Sequence, residues 1–515
     1  MDNAGGGLTV KHVLIIDFGG QYSHLIARRI RELEVYGEFV SHTIDTDNLL
    51  EYVRESYGVI LSGGPASVWE GKHDDIIKLI IKEDKPILGI CYGHQLLARA
   101  LGGIVQRSHK PEFGPTTVFL KVRDRIFKGI PNSFIVWMSH NDAVIEPPPG
   151  AEVLAYSHGS PVAAMRYGIH YGIQWHPEVA HTSYGMKLLS NWLDIIGAPR
   201  VWKLDIVVDK IIEDIRGVIG DSIAVAAISG GIDSTTATLI AYKSIGSKLK
   251  PVIIDHGLHP QGEPARSIKL LESIGLKPIL VDASDMFIEA LKGITDPEEK
   301  RRIFGKLYAE VLEEEALKLG AEYLVQGTIY PDIIESGGRP GASIIKTHHN
   351  VAGLPRNIRL KIVEPLKWFY KDEVRRIARK LGVPEEIIKR QPIPGPALAV
   401  RIEGEVTREK IDIVRRADAI VREEIENSGI QERLWQYFAI LLNSKATGVK
   451  GDNRAYGYVV VVRAVISVDA MTASIARLQW DLLERIASRI TSEIPQVTRV
   501  LYDITSKPPA TIEWE

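Results

Sequence analysis

Between Val13 and about Pro199, short apolar runs alternate with amphipathic stretches: VLIIDF, SHLIARRIRELE, GVILSGG, then PILGI followed by HQLLARALGG. Uninterrupted apolar runs of this length suit strands buried on both faces, and the helical periodicity between them suits covering helices, so the pattern predicts a parallel α/β sheet. Gly and Pro then interrupt the pattern around Gly197 to Asp205, between a helix ending near Ile196 and the helical VVDKIIEDIRGVIG, which marks a domain boundary. A second series starts at IAVAAI (Ile223 to Ile228) and continues with PVIIDHG and KPILVDA, giving a second nucleotide-sized sheet. Residues 336–359 are rich in Gly, Pro, His and Asn without periodicity and read as a lid. After the proline-dense RQPIPGPALAVR come a helical stretch, the apolar strand YVVVVRAV, another helix and a last strand, TRVLYDIT. The fold class expected is α/β. Two doubly wound parallel-sheet domains, 11–200 and 201–390, are followed by a smaller α+β domain, 391–515.

Composition narrows the partners. At 515 residues and 45% hydrophobic, the chain can fill several cores, while 63 basic against 65 acidic residues leave a formal charge of −2. Such a balance provides no broad attraction to nucleic acid or membrane, and neither is expected as a partner. The N-terminal MDNAGGGLTVKH lacks a basic segment followed by an apolar one, and no uncharged apolar run reaches membrane-span length, so a cytoplasmic protein is expected. One cysteine excludes intrachain disulfides and turns attention to catalysis.

That cysteine, Cys91, sits in PILGI-C-YGHQLLA, a strand, a Gly-bounded turn and a helix, the layout of a nucleophile elbow. A thiol at a helix N-terminus feels the positive end of the helix dipole, which favours the thiolate. A lone cysteine is more commonly a small buried hydrophobe, and its companions decide. GIQWHPE supplies His176 as a base and Glu178 as its orienter, with both expected on one side of an extended chain. LSGGP at Leu61 to Pro65 supplies glycine amides, so Gly64 and the amide of Tyr92 are the expected oxyanion donors. The SGGP loop, GxCxGxQ at Gly89 to Gln95 and HPE together resemble class I glutamine amidotransferase domains over roughly the first 195 residues. The resemblance implies a glutamyl thioester on Cys91 and released ammonia, with Gln95, His140 and Asp142 in the glutamine pocket.

Ser229-Gly230-Gly231-Ile232-Asp233-Ser234, followed by Thr235, lies between strand IAVAAI and a helix, where amides and a helix N-terminus can cradle phosphate. It lacks the GK[ST] of a Walker loop and resembles the SGGxDS pyrophosphate loop of N-type ATP pyrophosphatases, which cleave ATP between the α and β phosphates. Asp255, at the carboxyl end of the next strand, is expected near the adenosine. Asp233 is the candidate to help hold Mg2+ carried by the phosphates, and Lys346 in the lid is expected to reach them. His348 and His349 diverge as neighbours and lack a third ligand, which argues against a metal site. No prosthetic group is expected.

The acceptor comes from resemblance alone. GTIYPDIIES, IKTHHNVAGLP, KRQPIPGPALAVR, KGDNRAYGYVVVVRAV and YDITSKPPATIEWE look like the glutamine-hydrolysing GMP synthase family along nearly its whole length. This implies that ATP adenylates the C2 oxygen of XMP and that ammonia displaces AMP, giving GMP, AMP, pyrophosphate and glutamate. It also implies XMP contacts from Arg301, Asp452, Lys507 and Glu513, and a homodimer formed through the C-terminal domain, to which YVVVVRAV could contribute. Gly20, His24 and Ala397 depart from the family pattern, where serine, glutamine and glycine are more usual; Ala397 would be strained if its φ is positive. The alternatives are a glutamine-dependent ATP pyrophosphatase ligase with another acceptor, which leaves KPPATIEWE unexplained, and a catalytically silent amidotransferase-type regulatory module.

Overall fold

The computed structural model describes residues 11–71, 73–335, 345–346, 359–467 and 472–515, with backbone alone at 334–335 and 345–346. The chain divides into two compact units at Val207 and Val208. No helix among the described residues is long and apolar enough to cross a membrane.

The first unit is built on a nine-stranded sheet. Five parallel strands lie in the order Gly37–Ser41, Val13–Asp17, Gly58–Leu61, Ile87–Ile90, His170–Ile173, and four further strands extend the sheet with antiparallel pairing. The apolar runs of the sequence become the parallel strands: Leu14, Ile16, Val59, Leu61 and Ile87 are fully buried in one core with Val53, Ile77 and Leu97 from the helices. Helix Ser23–Glu32 buries Ile26, Ala27 and Ile30, the stripe its periodicity predicts. Asp45 caps helix Thr46–Glu55 by accepting from the Asn48 amide at 3.3 Å. The antiparallel part is dominated by a long hairpin, Ile104–Leu120 against Ser133–Glu146, whose alternation the sequence does not advertise.

Strand order sets up the site. Gly58–Leu61, Ile87–Ile90 and His170–Ile173 are adjacent and parallel, with Leu61 opposite Gly89 and Ile90 opposite Ile173. The segments leaving their carboxyl ends, LSGGP, Cys91 and QWHPE, are therefore neighbours although more than a hundred residues separate the first from the last.

In the second unit a six-stranded sheet runs Ile279–Asp282, Leu249–Asp255, Ile223–Ala227, Ala321–Val325, Lys361–Val363 in parallel, ending in Ile345–Lys346 antiparallel. Chain order reverses on either side of Ile223–Ala227, which makes its carboxyl end a switch point where ligands bind in open α/β sheets. The C-terminal part adds a mixed sheet: Gln436–Lys450 and Asn453–Ile466 form a hairpin, Ser474–Ile475 pairs antiparallel, and Val497–Tyr502 pairs parallel. Thr407 caps the 20-residue helix Arg408–Asn427 that covers it.

One hydrophobic cluster runs without a break from Val225, Val252 and Leu324 to Val414, Val460 and Val462, so both sheets of this unit share a core. The apolar run YVVVVRAV is spent internally on both faces. Val460, Val462 and Ala464 join that cluster, while Val461 and Val465 pack with Phe438, Ile440 and Ile512 on the other.

Candidate active site

Cys91 caps helix Tyr92–Ala100 with φ 53° and ψ −107°, a strained conformation for a residue with a side chain and of the kind that cost about 1–3 kcal/mol. The turn is tight enough to demand its glycines. A Cβ added at Gly89 would lie 2.6 Å from the Gly93 carbonyl oxygen, and one at Gly93 would lie 2.2 Å from that of Leu61. This close approach is the physical content of GxCxG. The thiol is 6% exposed, lies 3.6 Å from the Ser139 carbonyl oxygen, and receives the side-chain amide of Gln174 at 3.7 Å.

His176 is buried beside it, and its Nδ1 lies 2.7 Å from Oε1 of Glu178. The two are joined through a turn at Pro177 and Glu178 rather than the extended chain expected. Thr182 fixes the turn, its hydroxyl donating to the His176 carbonyl (2.6 Å) and accepting from the Trp137 amide (2.9 Å). Arg29 donates to the Glu178 carbonyl at 2.9 Å, and the Tyr22 ring stands edge-on to the imidazole. Burial alone would lower the pKa of His176, but the Glu178 carboxylate and the Cys91 sulfur together raise it well above 6.5. The pair is thus built to hold an imidazolium beside the Cys91 sulfur.

Gly63 presses against both groups: a Cβ there would lie 3.0 Å from Cε1 of His176 and 3.8 Å from Cβ of Cys91. Among the described residues, the amides of Gly63, Gly64 and Tyr92 donate to no protein acceptor. Gln95 donates to the Asp142 carbonyl (2.7 Å) and to Oε1 of Gln174 (3.3 Å), His140 Nδ1 meets the same carbonyl at 3.0 Å, and the Asp142 carboxylate accepts from Ser67 (2.6 Å). The structure thus gathers Gln95, His140 and Asp142 around one carbonyl. Sequence reasoning missed Gln174, although it lies two residues before His176 on the same motif, and the Ser139 carbonyl, which no side-chain pattern reveals.

In the second unit, Gly231 precedes helix Ile232–Ile245, and Ser234 Oγ donates to its carbonyl (3.1 Å) while accepting from the Ser229 amide (3.3 Å). Gly230 has φ 78°, and a Cβ there would lie 2.7 Å from Arg390 and from Ser267, so the loop requires glycine. Arg390 donates to the Gly230 carbonyl at 2.9 Å and pairs with Glu263, anchoring the loop from behind. Thr235 is buried with its hydroxyl unpartnered. Asp255 ends the adjacent strand and accepts from the Gly257 amide (2.9 Å). Lys371, at the start of helix Lys371–Leu381, ion-pairs with Oδ2 of Asp233, while Oδ1 is buried without a partner. Sequence reasoning missed this lysine. The side chain of Lys346, the pair His348-His349 and most of the lid lie outside the described residues.

Of the four residues expected at the acceptor, Lys507 and Glu513 lie in the tail and Arg301 reaches it. Glu513 takes both arms of the fully buried Arg401, at 3.0 Å each, and Gln436 at 2.9 Å, while Arg401 also lies over the Phe438 ring at 4.0 Å. Arg301 donates to the main-chain oxygen of Glu515, whose carboxylate pairs with the fully buried Lys300. Lys507 exchanges backbone hydrogen bonds with Ala473 at 2.8 and 3.0 Å. Asp452 is elsewhere: it sits in the exposed turn closing the hairpin, a strand length from Gln436, which spans on the order of 45 Å.

The departures are accommodated differently. A Cβ at Gly20 would fall 2.4 Å from the Gly63 carbonyl oxygen, and His24 stacks on Phe39 with ring centroids 4.1 Å apart. Ala397 has φ 49°, so the residue in the position where glycine is more usual does occupy left-handed space.

Residues 14–196 match the family described as glutamine amidotransferase class-I, and residues 423–514 match the one described as GMP synthase C terminal domain. Proteins named GMP synthase (glutamine-hydrolyzing) are similar along nearly the full chain. That of Aeropyrum pernix is 63% identical over 504 residues, covering 98% of both chains. Those of Pyrobaculum aerophilum and Aquifex aeolicus are 50% and 49% identical over 507 residues, 98% of this chain and 100% and 99% of the relatives. Identity of this extent, over both matched domains and the segment between them, shows that the chain belongs to the family of glutamine-hydrolysing GMP synthases.

Proposed function

We propose that the chain converts XMP to GMP with nitrogen from glutamine, and that Cys91, His176 and Glu178 make the ammonia. The observation that carries the reading is the strained thiol beside a buried imidazole held at 2.7 Å by Glu178. The thiolate attacks the side-chain amide carbon of glutamine, and the oxyanion forms against the amides of Gly64 and Tyr92. His176 protonates the departing ammonia, then removes a proton from the water that cleaves the thioester, returning glutamate and the thiol. Gln95, His140 and Asp142 orient the substrate.

In the second unit the C2 oxygen of XMP attacks the α-phosphorus of ATP, expelling pyrophosphate into the loop Ser229 to Thr235. Lys371 and the lid Lys346 neutralise phosphate charge there, and Asp255 receives the adenosine. Ammonia then attacks C2, loses a proton and displaces AMP. Arg301 and Lys507 suit the XMP phosphate, and Glu513, acceptor-only, suits ring or ribose donors.

Mg2+ belongs to the proposal. The residues fit an ion carried mainly by phosphates, since Asp233 offers one buried oxygen without a protein partner, and among the described residues there is no group of three or more His, Cys, Asp and Glu to build a protein cage. When bound, it withdraws charge from the phosphates. A homodimer belongs to it as well. Asp452 is remote from Glu513 within one chain, and Val449 and Tyr456 beside it are 73% and 71% exposed, as a hairpin reaching a second copy requires. Light scattering during gel filtration tests the dimer.

The activity is tested by supplying ATP, Mg2+ and glutamine with a panel of nucleotides. GMP is expected only with XMP, and Cys91→Ala is expected to lose glutamine use while keeping synthesis from ammonium. Another product, or loss of both activities in the variant, overturns the reading.

A further inference from the structure

Behind the wall of the thiol pocket lies a carboxylate that no step above uses. Glu112 is 7% exposed, and its Oε2 accepts from the Ser157 hydroxyl (2.7 Å) and faces Nε2 of His140 (3.1 Å), while Oε1 accepts from the Gly159 amide (3.0 Å). The local chain is shaped to seal it. In the long hairpin the register jumps from Arg107 opposite Asp142 to Glu112 opposite His140, so residues 108–111 bulge out and Glu112 is delivered under His140. Residues 157–160 close over it. Ser108 donates to the Gly159 carbonyl at 2.7 Å, and a Cβ at Gly159 would lie 2.2 Å from the Lys110 carbonyl oxygen and 2.7 Å from the Glu112 carboxyl carbon, so only glycine lets the loop down.

Both ring nitrogens of His140 therefore face oxygens, Nδ1 the Asp142 carbonyl and Nε2 Glu112, so the ring is held at both ends. Burial would raise the pKa of Glu112, but the bonds from His140, Ser157 and Gly159 hold it below its ordinary value. What the pair grips is the run Ser139 to Asp142. Its first carbonyl touches the Cys91 sulfur, and its last carries both His140 and Gln95.

We propose that Glu112 is a positioning residue for glutamine: through His140 it fixes the Ser139–Asp142 wall that orients the substrate against Cys91. The proposal rests on the reading of Cys91 as the glutaminase nucleophile. Glu112→Ala removes all three bonds. Glu112→Gln, with its carbonyl oxygen in the place of Oε1, keeps the acceptor for Gly159 and sets its NH2 between Nε2 of His140 and the Ser157 hydroxyl, either of which can accept, so it is the conservative variant.

Two electrophiles separate positioning from folding in the full chain. Iodoacetamide needs only a reactive thiol, whereas the glutamine analogue 6-diazo-5-oxonorleucine also needs the substrate pocket. In Glu112→Ala the KM for glutamine is expected to rise, and the rate of labelling by the analogue to fall, by at least about tenfold, the scale of one unsatisfied buried polar group. Its iodoacetamide rate is expected to stay within about threefold of the parent, less than one such group would cost, and Glu112→Gln is expected to recover most of the loss. Equal falls with both electrophiles assign Glu112 to the fold and overturn the proposal, as does an unchanged KM. A parent enzyme that releases no glutamate overturns the reading of Cys91 instead.

Discussion

Nδ1 of His176 meets Oε1 of Glu178 at 2.7 Å across a single proline, and the second oxygen of that carboxylate is buried without a hydrogen-bond partner. The carboxylate is thus committed to one imidazole. Its charge, together with the Cys91 sulfur, is what keeps His176 protonated despite burial.

Because the folded pKa of His176 stands well above the ordinary 6.5, its protonation stabilises the fold fully below about pH 6.5, and that contribution disappears as pH climbs through the raised value. Glu178→Gln removes the main attraction. The kcat for glutamine hydrolysis is expected to fall by about a hundredfold or more. The loss in denaturant midpoint, followed by fluorescence from pH 5.5 to 9, is expected to be greatest at the acid end; a loss that grows with pH contradicts the assignment.

Lys371 ion-pairs with Asp233 in the loop Ser229 to Thr235 and is about one-third exposed, so little stability is expected from the pair, and the proposed role in binding phosphate charge can be tested apart from folding. Lys371→Met is expected to slow ammonium-dependent GMP formation by about a hundredfold, the usual scale for losing one electrostatic stabiliser. Glutaminase activity and the unfolding midpoint should hardly move. Equal synthesis rates in variant and parent dismiss the role.

Ala397 holds a left-handed φ of 49° while 2% exposed. Replacing it with glycine releases strain of about 1–2 kcal/mol, less the entropy glycine adds to the unfolded chain, for a net gain of about 1 kcal/mol. A higher thermal transition for residues 208–515 is the expected result. A lower one shows that the methyl group's packing outweighs the strain.

Glu513→Ala strands a fully buried guanidinium, leaving Arg401 with Asp418 at 3.5 Å as its carboxylate partner among the described residues and the Phe438 ring beneath it. Breaking a buried pair costs about 3–5 kcal/mol, so the second unit is expected to unfold at lower denaturant and lose ammonium-dependent synthesis, with glutaminase intact. Replacing both partners, Arg401→Met with Glu513→Leu, should recover stability without recovering synthesis. Recovery of both reduces Glu513 to a structural anchor.

What could be read in the sequence follows a physical division. The parallel strands and helices were legible because burial on both faces writes continuous apolar runs, and the strand–turn–helix settings of Cys91 and of Ser229 to Ser234 because each is local. The hairpin Ile104–Leu120 and Ser133–Glu146 was not, since its exposed face and bulge break the alternation. Glu112, Gln174, Lys371 and Lys300 were invisible for another reason: their partners lie 28 to 215 residues away, and a charge run alone predicts only a solvated surface. Glu178 was identified, but its geometry was not, because a turn rather than strand alternation delivers it.

The buried cations of the acceptor corner also govern time. Arg401 waits for a partner 112 residues distant and Lys300 for one 215 residues distant, whereas the triad closes over fewer than ninety. Contacts of long sequence separation form late and cost the most chain entropy to close. The triad is therefore expected to close ahead of the acceptor corner in the folding chain, and the corner to open before it under stress. Amide exchange around Arg401 and Glu513 should outpace exchange around Cys91.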